Sequence, residues 1–142
     1  MISQRTLQLL SKLAARDVAS AEHKAADALA KVQALEREAA LIGGYTDQLM
    51  ASLRGRACLG HDFRVTTGFV SAGLKAQATA EAARQRGEQA KLAAFARLAT
   101  EMQRRDALDT AQEAVEADAA RSLERKTERL ASHSSAANAK RY

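Results

Sequence analysis

The chain has 142 residues, a net charge of +5, no proline and no tryptophan, and 34 of its residues are alanine. Because alanine is the best helix former and large side chains are scarce, this composition excludes a thick α/β core and predicts a nearly all-helical chain. Charge alternates along the chain, with residues 1–53 summing to zero, residues 64–100 to +4, residues 101–120 to −4 and residues 121–142 to +4, which disfavours the contiguous basic surface typical of nucleic-acid binding.

The only cysteine, Cys58, excludes an internal disulfide framework and is compatible with a reducing cytosol. No apolar run approaches the roughly 18 to 20 residues of a membrane span. The N-terminal stretch MISQRTLQLLSKLAARD lacks the apolar region of a secretory signal. These features predict a soluble, cytoplasmic protein.

The first predicted element is a helix over about residues 4–53. Apolar residues recur there in steps of three and four, the spacing of a coiled-coil seam, with a single shift of phase between Ala14 and Val18. The spacing of the series continues unchanged through Gly43 and Gly44, which predicts a continuous helix. Each glycine nevertheless destabilises the helix by about 0.5–1 kcal/mol relative to alanine. The members are Leu7, Leu10, Ala14, Val18, Ala21, Ala25, Ala28, Val32, Leu35, Ala39, Ile42, Thr46, Leu49 and Leu53.

A turn is predicted at about residues 54–63, where RGRACLGHD interrupts the series and Asp62 offers a helix cap. A second helix follows over about residues 64–130, and the small, polar residues 131–142 are predicted to fray. Residues 1–142 therefore predict one all-α domain, a long antiparallel two-helix coiled-coil hairpin. The apolar series of the second helix is looser and consists of Phe69, Ala72, Ala76, Leu92, Phe95, Ala99, Met102, Leu108, Ala111, Val115, Ala119 and Leu123.

Candidate catalytic groups are few. Cys58, His61 and Asp62 combine a nucleophile, a base and a carboxylate, but a hairpin tip offers neither a pocket nor an oxyanion site. Phosphate-binding glycine loops do not occur in the sequence. We therefore expect no enzymatic activity, no metal and no cofactor.

Two sets of side chains are candidates for binding a partner. Arg121, Arg125 and Arg129 share one helix face, which is either a solvated face or a docking surface for an acidic ring or groove, with nucleic acid as a third possibility. The aromatic residues Tyr45, Phe63 and Phe69 either pack in the core or form a partner-binding patch.

The sequence resembles the FliJ family, the small coiled-coil component of flagellar type III export, and its injectisome counterparts of the YscO type. The family's first-helix pattern, Gln-x-x-x-Leu-x-x-Tyr-x-x-x-Tyr, reads here Glu38, Ile42, Tyr45 and Leu49. The resemblance extends over nearly the whole chain in length, hairpin layout and charged C-terminal helix.

The second half of the family pattern is less regular here. An aromatic residue followed six residues later by Phe corresponds to Phe63 and Phe69. The family's Phe-x-x-x-Leu-x-x-Ala falls on Phe69, Gly73 and Ala76, and Gly73 departs from it. The resemblance thus implies an export-gate docking site made of Glu38, Ile42, Tyr45, Leu49, Phe69 and Ala76.

The resemblance also implies a fold similar to the central stalk of rotary ATP synthases and a function as a non-enzymatic stalk and adaptor. Both chain ends would insert into a hexameric export ATPase ring, through Leu7, Leu10, Arg121, Arg125 and Arg129. Further partners would be the cytoplasmic domain of the export-gate membrane protein and export chaperones. The chain would be a monomer on its own, peripheral to the inner-membrane export apparatus, without binding nucleic acid or inserting into the membrane.

The repeating seam also fits a second class of function. A self-associating coiled-coil scaffold, unrelated to secretion, needs only such a seam. A basic nucleic-acid-associated protein is the third class.

Overall fold

The computed structural model describes the backbone of residues 2–55 and 60–140 and the side chains of residues 2–54 and 64–140. This part of the chain forms two helices, α1 (Gln4–Gly55) and α2 (Gly60–Ala139). They pack against each other as an all-α antiparallel two-helix coiled-coil hairpin, which confirms the predicted fold class. Residues 56–59, and with them Cys58, lie outside the described residues.

The helix α1 begins at a serine cap and passes through the glycine pair. The hydroxyl of Ser3 accepts a hydrogen bond from the backbone N–H of Thr6 at 3.2 Å, as expected for a residue that caps a helix N-terminus. Gly43 and Gly44 both lie inside α1, and no described glycine has a positive φ. The predicted continuity of the first helix is therefore confirmed.

The helix α2 is longer at both ends than the sequence predicts. It begins at Gly60 rather than near residue 64, so Asp62 lies inside the helix and not at its cap. At the other end it continues to Ala139, whereas fraying was predicted from residue 131. The physical reason is the absence of glycine and proline after Gly87, combined with abundant alanine.

Internal contacts divide the structure into two compact units. Unit 1 comprises Met1–Ala19 with Thr100–Tyr142, and unit 2 comprises Ser20–Ala99. In unit 1, the Ser11 hydroxyl donates to the Gln112 side chain at 3.1 Å, and an Asp17 oxygen lies 3.7 Å from an Arg104 nitrogen.

The antiparallel order of the helices is visible in each unit. In unit 1, Ser11 meets Gln112 and the later Asp17 meets the earlier Arg104. In unit 2, Leu35 approaches Gly87 and the later Thr46 approaches the earlier Gly73. As residue numbers increase along α1, the numbers of the α2 residues that they approach therefore decrease.

The α1 seam is confirmed by burial. Every residue of the series predicted from Leu7 to Leu53 is buried or half-buried. The largest fully buried side chains are Val32 and Thr46. The one polar member of the series, Thr46, satisfies its hydroxyl by donating to the backbone oxygen of Ile42 at 2.9 Å, so its burial leaves no donor unpaired.

The predicted α2 series is mostly wrong. Only Leu108, Ala111 and Val115 are half-buried, and the other members are exposed. The residues that α2 turns toward α1 are instead mostly small or polar, with four larger apolar residues among them. In unit 2 they are Thr66, Val70, Gly73, Ala80, Arg84, Gly87, Lys91, Ala94 and Leu98, and in unit 1 they are Glu101, Arg105, Leu108, Gln112 and Val115.

Two charged side chains of the α2 seam in unit 2, Arg84 and Lys91, have carboxylate partners beside it. Arg84 donates to the Glu81 carboxylate at 2.6 Å, and Lys91 lies 2.7 Å from a Glu88 oxygen. The hydrogen bond from Arg84 holds the pKa of Glu81 below its ordinary value. Long basic side chains can thus lay their aliphatic stems along the seam and keep their charges at its edge.

The substitution Gly44→Ala should stabilise the protein by about 0.5–1 kcal/mol, because alanine restricts the unfolded chain more than glycine does. A Cβ at Gly44 would meet no atom within 4 Å. The measurement is the midpoint of thermal unfolding followed by circular dichroism. A lower midpoint would show that the helix needs a glycine at this position.

Candidate partner-binding surfaces

An antiparallel pair of helices leaves two edges beside its seam. Seam residues recur in each helix in alternating steps of three and four. The residues directly before every second one of them lie together along one of the two edges. A groove in unit 2 marks this edge, because it is lined by Lys24 and Lys31 of α1 together with Ala90 of α2. Each of these three residues directly precedes a residue of the seam.

Four of the six residues of the predicted export-gate site lie on this edge. Glu38, Tyr45 and Phe69 each directly precede a seam residue, Ala76 lies one heptad after Phe69, and all four are exposed. Tyr45 is 68% exposed and Phe69 is 61% exposed, high values for aromatic side chains of a folded protein. We call the surface formed by Glu38, Tyr45, Phe69 and Ala76 the Tyr45 edge.

The other two residues of the predicted site belong to the seam. Ile42 and Leu49 are half-buried in the α1 series. Their half-burial places them mainly in the contact with α2, so only part of each side chain is open to a partner while the hairpin is closed. The predicted site is therefore part surface and part core.

Gly73 stands where the pattern quoted above has leucine, and the structure gives this glycine a packing role. A Cβ at this position would lie 2.8 Å from the Thr46 hydroxyl oxygen, a distance that real Cβ atoms do not adopt. Gly73 thus belongs to the seam, where it makes room for a β-branched residue of α1. Leu74, one position later, is exposed.

Two exposed apolar residues beside the Tyr45 edge were missed at the sequence level. Leu41 and Val65 are exposed and lie four residues before Tyr45 and Phe69, respectively. Residues four apart share a helix face, so this spacing was the signal that could have found them. They enlarge the apolar part of the surface.

The C-terminal part of α2 has no cover. After Val115, every described side chain through Lys140 is exposed, and we call residues 116–139 the uncovered end of α2. Arg121 lies 3.0 Å from an Asp118 oxygen. Arg125 and Arg129 form no ion pair with any described residue.

The predicted ATPase-ring contacts, like the predicted gate site, include both exposed residues and seam residues. Arg121, Arg125 and Arg129 are exposed on the uncovered end. Leu7 is only 4% exposed and Leu10 is half-buried, because both belong to the α1 seam in unit 1. Leu7 is therefore inaccessible to another protein unless the hairpin opens, and Leu10 offers only part of its side chain.

The Tyr45 edge and the uncovered end of α2 are thus the two exposed surfaces that the predicted sites supply. Comparison with known proteins assigns neither. No family model, curated protein or solved structure matches this chain.

Two further features, a metal-binding group and a membrane-crossing helix, do not occur among the described residues. The described side chains, those of residues 2–54 and 64–140, include no group of three or more from His, Cys, Asp or Glu placed to hold a metal ion. Cys58 and the side chains of His61 and Asp62 lie outside the description. Over the same residues, neither helix combines the length and the hydrophobicity that crossing a bilayer requires.

Proposed function

We propose that this chain is a non-enzymatic stalk and adaptor of a type III protein export apparatus, flagellar or injectisome. In this proposal the terminal end of the hairpin inserts into a hexameric export ATPase ring. The Tyr45 edge docks on the cytoplasmic domain of the export gate, and the chain escorts export chaperones. It resides in the cytoplasm, peripheral to the inner-membrane apparatus.

The uncovered end of α2 is the observation that carries this proposal. An isolated helix in water is marginal because nucleation is costly and packing supplies most helical stability. A stretch of helix without one buried side chain therefore gains from a partner that surrounds it. The exposed Arg125 and Arg129 favour a partner with acidic groups, and a ring encloses a rod from all sides.

The mechanism requires no catalytic group from this chain. An off-axis rod inside a ring of six subunits touches some subunit interfaces more than others. Its differential contacts shift the equilibrium between open and closed interfaces, as any ligand that prefers one state does. Nucleotide binding and hydrolysis stay with the ATPase.

Reversing the charges of Arg121, Arg125 and Arg129 to glutamate should weaken binding to the ATPase at least tenfold, or about 1.4 kcal/mol. The three side chains are exposed, so helicity should not change. Hydrolysis and hexamer formation by a purified export ATPase are measured with and without the chain. The matched control reverses Arg64, Lys75 and Arg86, which are exposed basic residues of α2 in unit 2.

The stalk role is contradicted if the wild-type chain changes neither hydrolysis nor oligomerisation of the ATPase. It is also contradicted if the two triple variants weaken the effect equally, because the basic charge would then act without regard to its place. Circular dichroism of each variant tests whether the fold is retained.

A self-associating scaffold is the second candidate, and one observation favours it. Leu123 and Leu130 are 64% and 71% exposed on the uncovered end and lie seven residues apart, the period of a coiled-coil contact. Size-exclusion chromatography with light scattering tests this candidate. A stable oligomer at micromolar concentration that does not bind the ATPase would support the scaffold over the stalk.

A further inference from the structure

A groove in unit 2 lies outside the surfaces assigned above. It follows the same side of the seam as Tyr45 but is built from other residues, and its volume is about 280 Å³. Its floor and walls combine apolar side chains with charged residues at the rim. The lining consists of Lys24, Asp27, Ala28, Lys31, Leu35, Gly87 and Ala90.

The groove exists because α2 contributes almost no side chain to it. A Cβ at Gly87 would lie 2.8 Å from a terminal carbon of Leu35 and 3.5 Å from one of Val32. Ala90 of the wall is exposed. Coiled coils usually carry long charged residues at such positions beside the seam, and the short residues here leave apolar surface open.

The rim of the groove is rich in unpaired positive charge. Lys31 and Ala90 line the groove from opposite helices, and one heptad along, the same register sets Lys24 opposite Arg97. None of Lys24, Lys31 and Arg97 forms an ion pair with a described residue. The rim also carries one carboxylate, Asp27, which has a ring nitrogen of His23 3.5 Å from one of its oxygens.

In unit 1, a charged residue at an equivalent position beside the seam has an oppositely charged partner on the other helix. There Asp17, which also directly precedes a seam residue, faces Arg104 across the helices at 3.7 Å. In unit 2 the corresponding cations face alanine or another cation. The missing carboxylates must come from outside the chain if these charges are to be paired.

We propose that this groove binds an acidic amphipathic helix of a partner protein. One apolar side chain of the helix enters the groove over Ala28, Leu35 and Gly87. Carboxylates on either side of it pair with Lys31 at one end and with Lys24 and Arg97 at the other. Lys24 and Lys31 are seven residues apart, about 10.5 Å along α1, which matches carboxylates three or four residues before and after the apolar residue.

This site goes beyond the proposed stalk function and does not depend on it. The groove uses neither the uncovered end of α2 nor the residues of the Tyr45 edge. Loss of ATPase stimulation would leave the groove proposal standing, and loss of peptide binding would leave the stalk proposal standing.

The test uses the full chain and a fluorescein-labelled, stapled alanine helix that carries one leucine and glutamates three and four residues to each side. Fluorescence anisotropy at low salt should show binding that Lys24→Glu/Lys31→Glu weakens at least tenfold. Arg64→Glu/Lys75→Glu is the matched control, because both residues are exposed basic residues of unit 2 that do not line the groove. Replacing the leucine of the probe by alanine should weaken binding several-fold.

Several results would overturn the proposal. These are absence of binding at low salt, equal weakening of binding by the two double variants, and equal affinity for the probe helices with and without the leucine. Binding of phosphatidylglycerol vesicles, lost in Lys24→Glu/Lys31→Glu while the probe helix does not bind, would assign the groove to a membrane surface instead. Circular dichroism checks the fold, and Lys24→Gln/Lys31→Gln, which should also weaken binding, replaces the reversal if helicity is lost.

Discussion

Replacing Gly73 by valine is expected to lower the free energy of unfolding by about 1–3 kcal/mol, the range for overpacking of a well-packed core. A Cβ at Gly73 would lie 2.8 Å from the hydroxyl oxygen of Thr46 and 3.6 Å from its other side-chain carbons. Thr46 cannot easily move aside, because it is 1% exposed and its hydroxyl is bonded to the Ile42 backbone oxygen. Urea unfolding followed by circular dichroism measures the loss.

Two controls separate packing from helix propensity. Gly68→Val makes the same chemical change in the same helix, but a Cβ at Gly68 would meet nothing within 4 Å, so stability should stay the same or rise slightly. Combining Gly73→Val with Thr46→Ala should recover part of the loss, because residues in contact do not act additively. A Gly73→Val protein as stable as the wild type would contradict the close contact.

The α1 seam could be predicted from the sequence because its residues are apolar at nearly every position. The α2 seam could not be predicted in this way, since six of its fourteen contact positions hold polar or charged residues such as Arg84, Lys91 and Gln112. A search for apolar periodicity does not detect a seam position where only the aliphatic stem of a charged side chain is buried. It selects instead exposed apolar residues such as Phe69 and Leu92.

The candidate surfaces were predictable to different degrees. Ile42 and Leu49 already belonged to the α1 series, so their place in the seam was visible in the sequence, as was the place of Tyr45 just before Thr46. The uncovered end of α2 was not visible. It depends on the unequal lengths of the helices, 52 residues for α1 and 80 for α2, and the polar residues 131–139 gave no sign that α2 continues.

Tyr45→Ala should weaken binding to the export gate by at least 2 kcal/mol, roughly thirtyfold, if the Tyr45 edge is the docking surface. Aromatic residues that become buried at an interface commonly dominate its binding energy. Because Tyr45 is 68% exposed in the free chain, its removal should change the melting temperature little. Binding is measured by calorimetry against the purified cytoplasmic domain of the gate.

The matched control for Tyr45 is Ile42→Ala, three residues earlier on the same helix. Ile42 is half-buried in the seam, so its truncation should lower stability by about 1–2 kcal/mol, less than for a fully buried isoleucine. It should affect gate binding mainly through that loss of stability. A large fall in melting temperature for Tyr45→Ala would place this tyrosine in the core, and unchanged gate binding with an intact fold would remove the Tyr45 edge from the docking site. Only weaker binding without lower stability identifies the edge as the surface that the gate contacts.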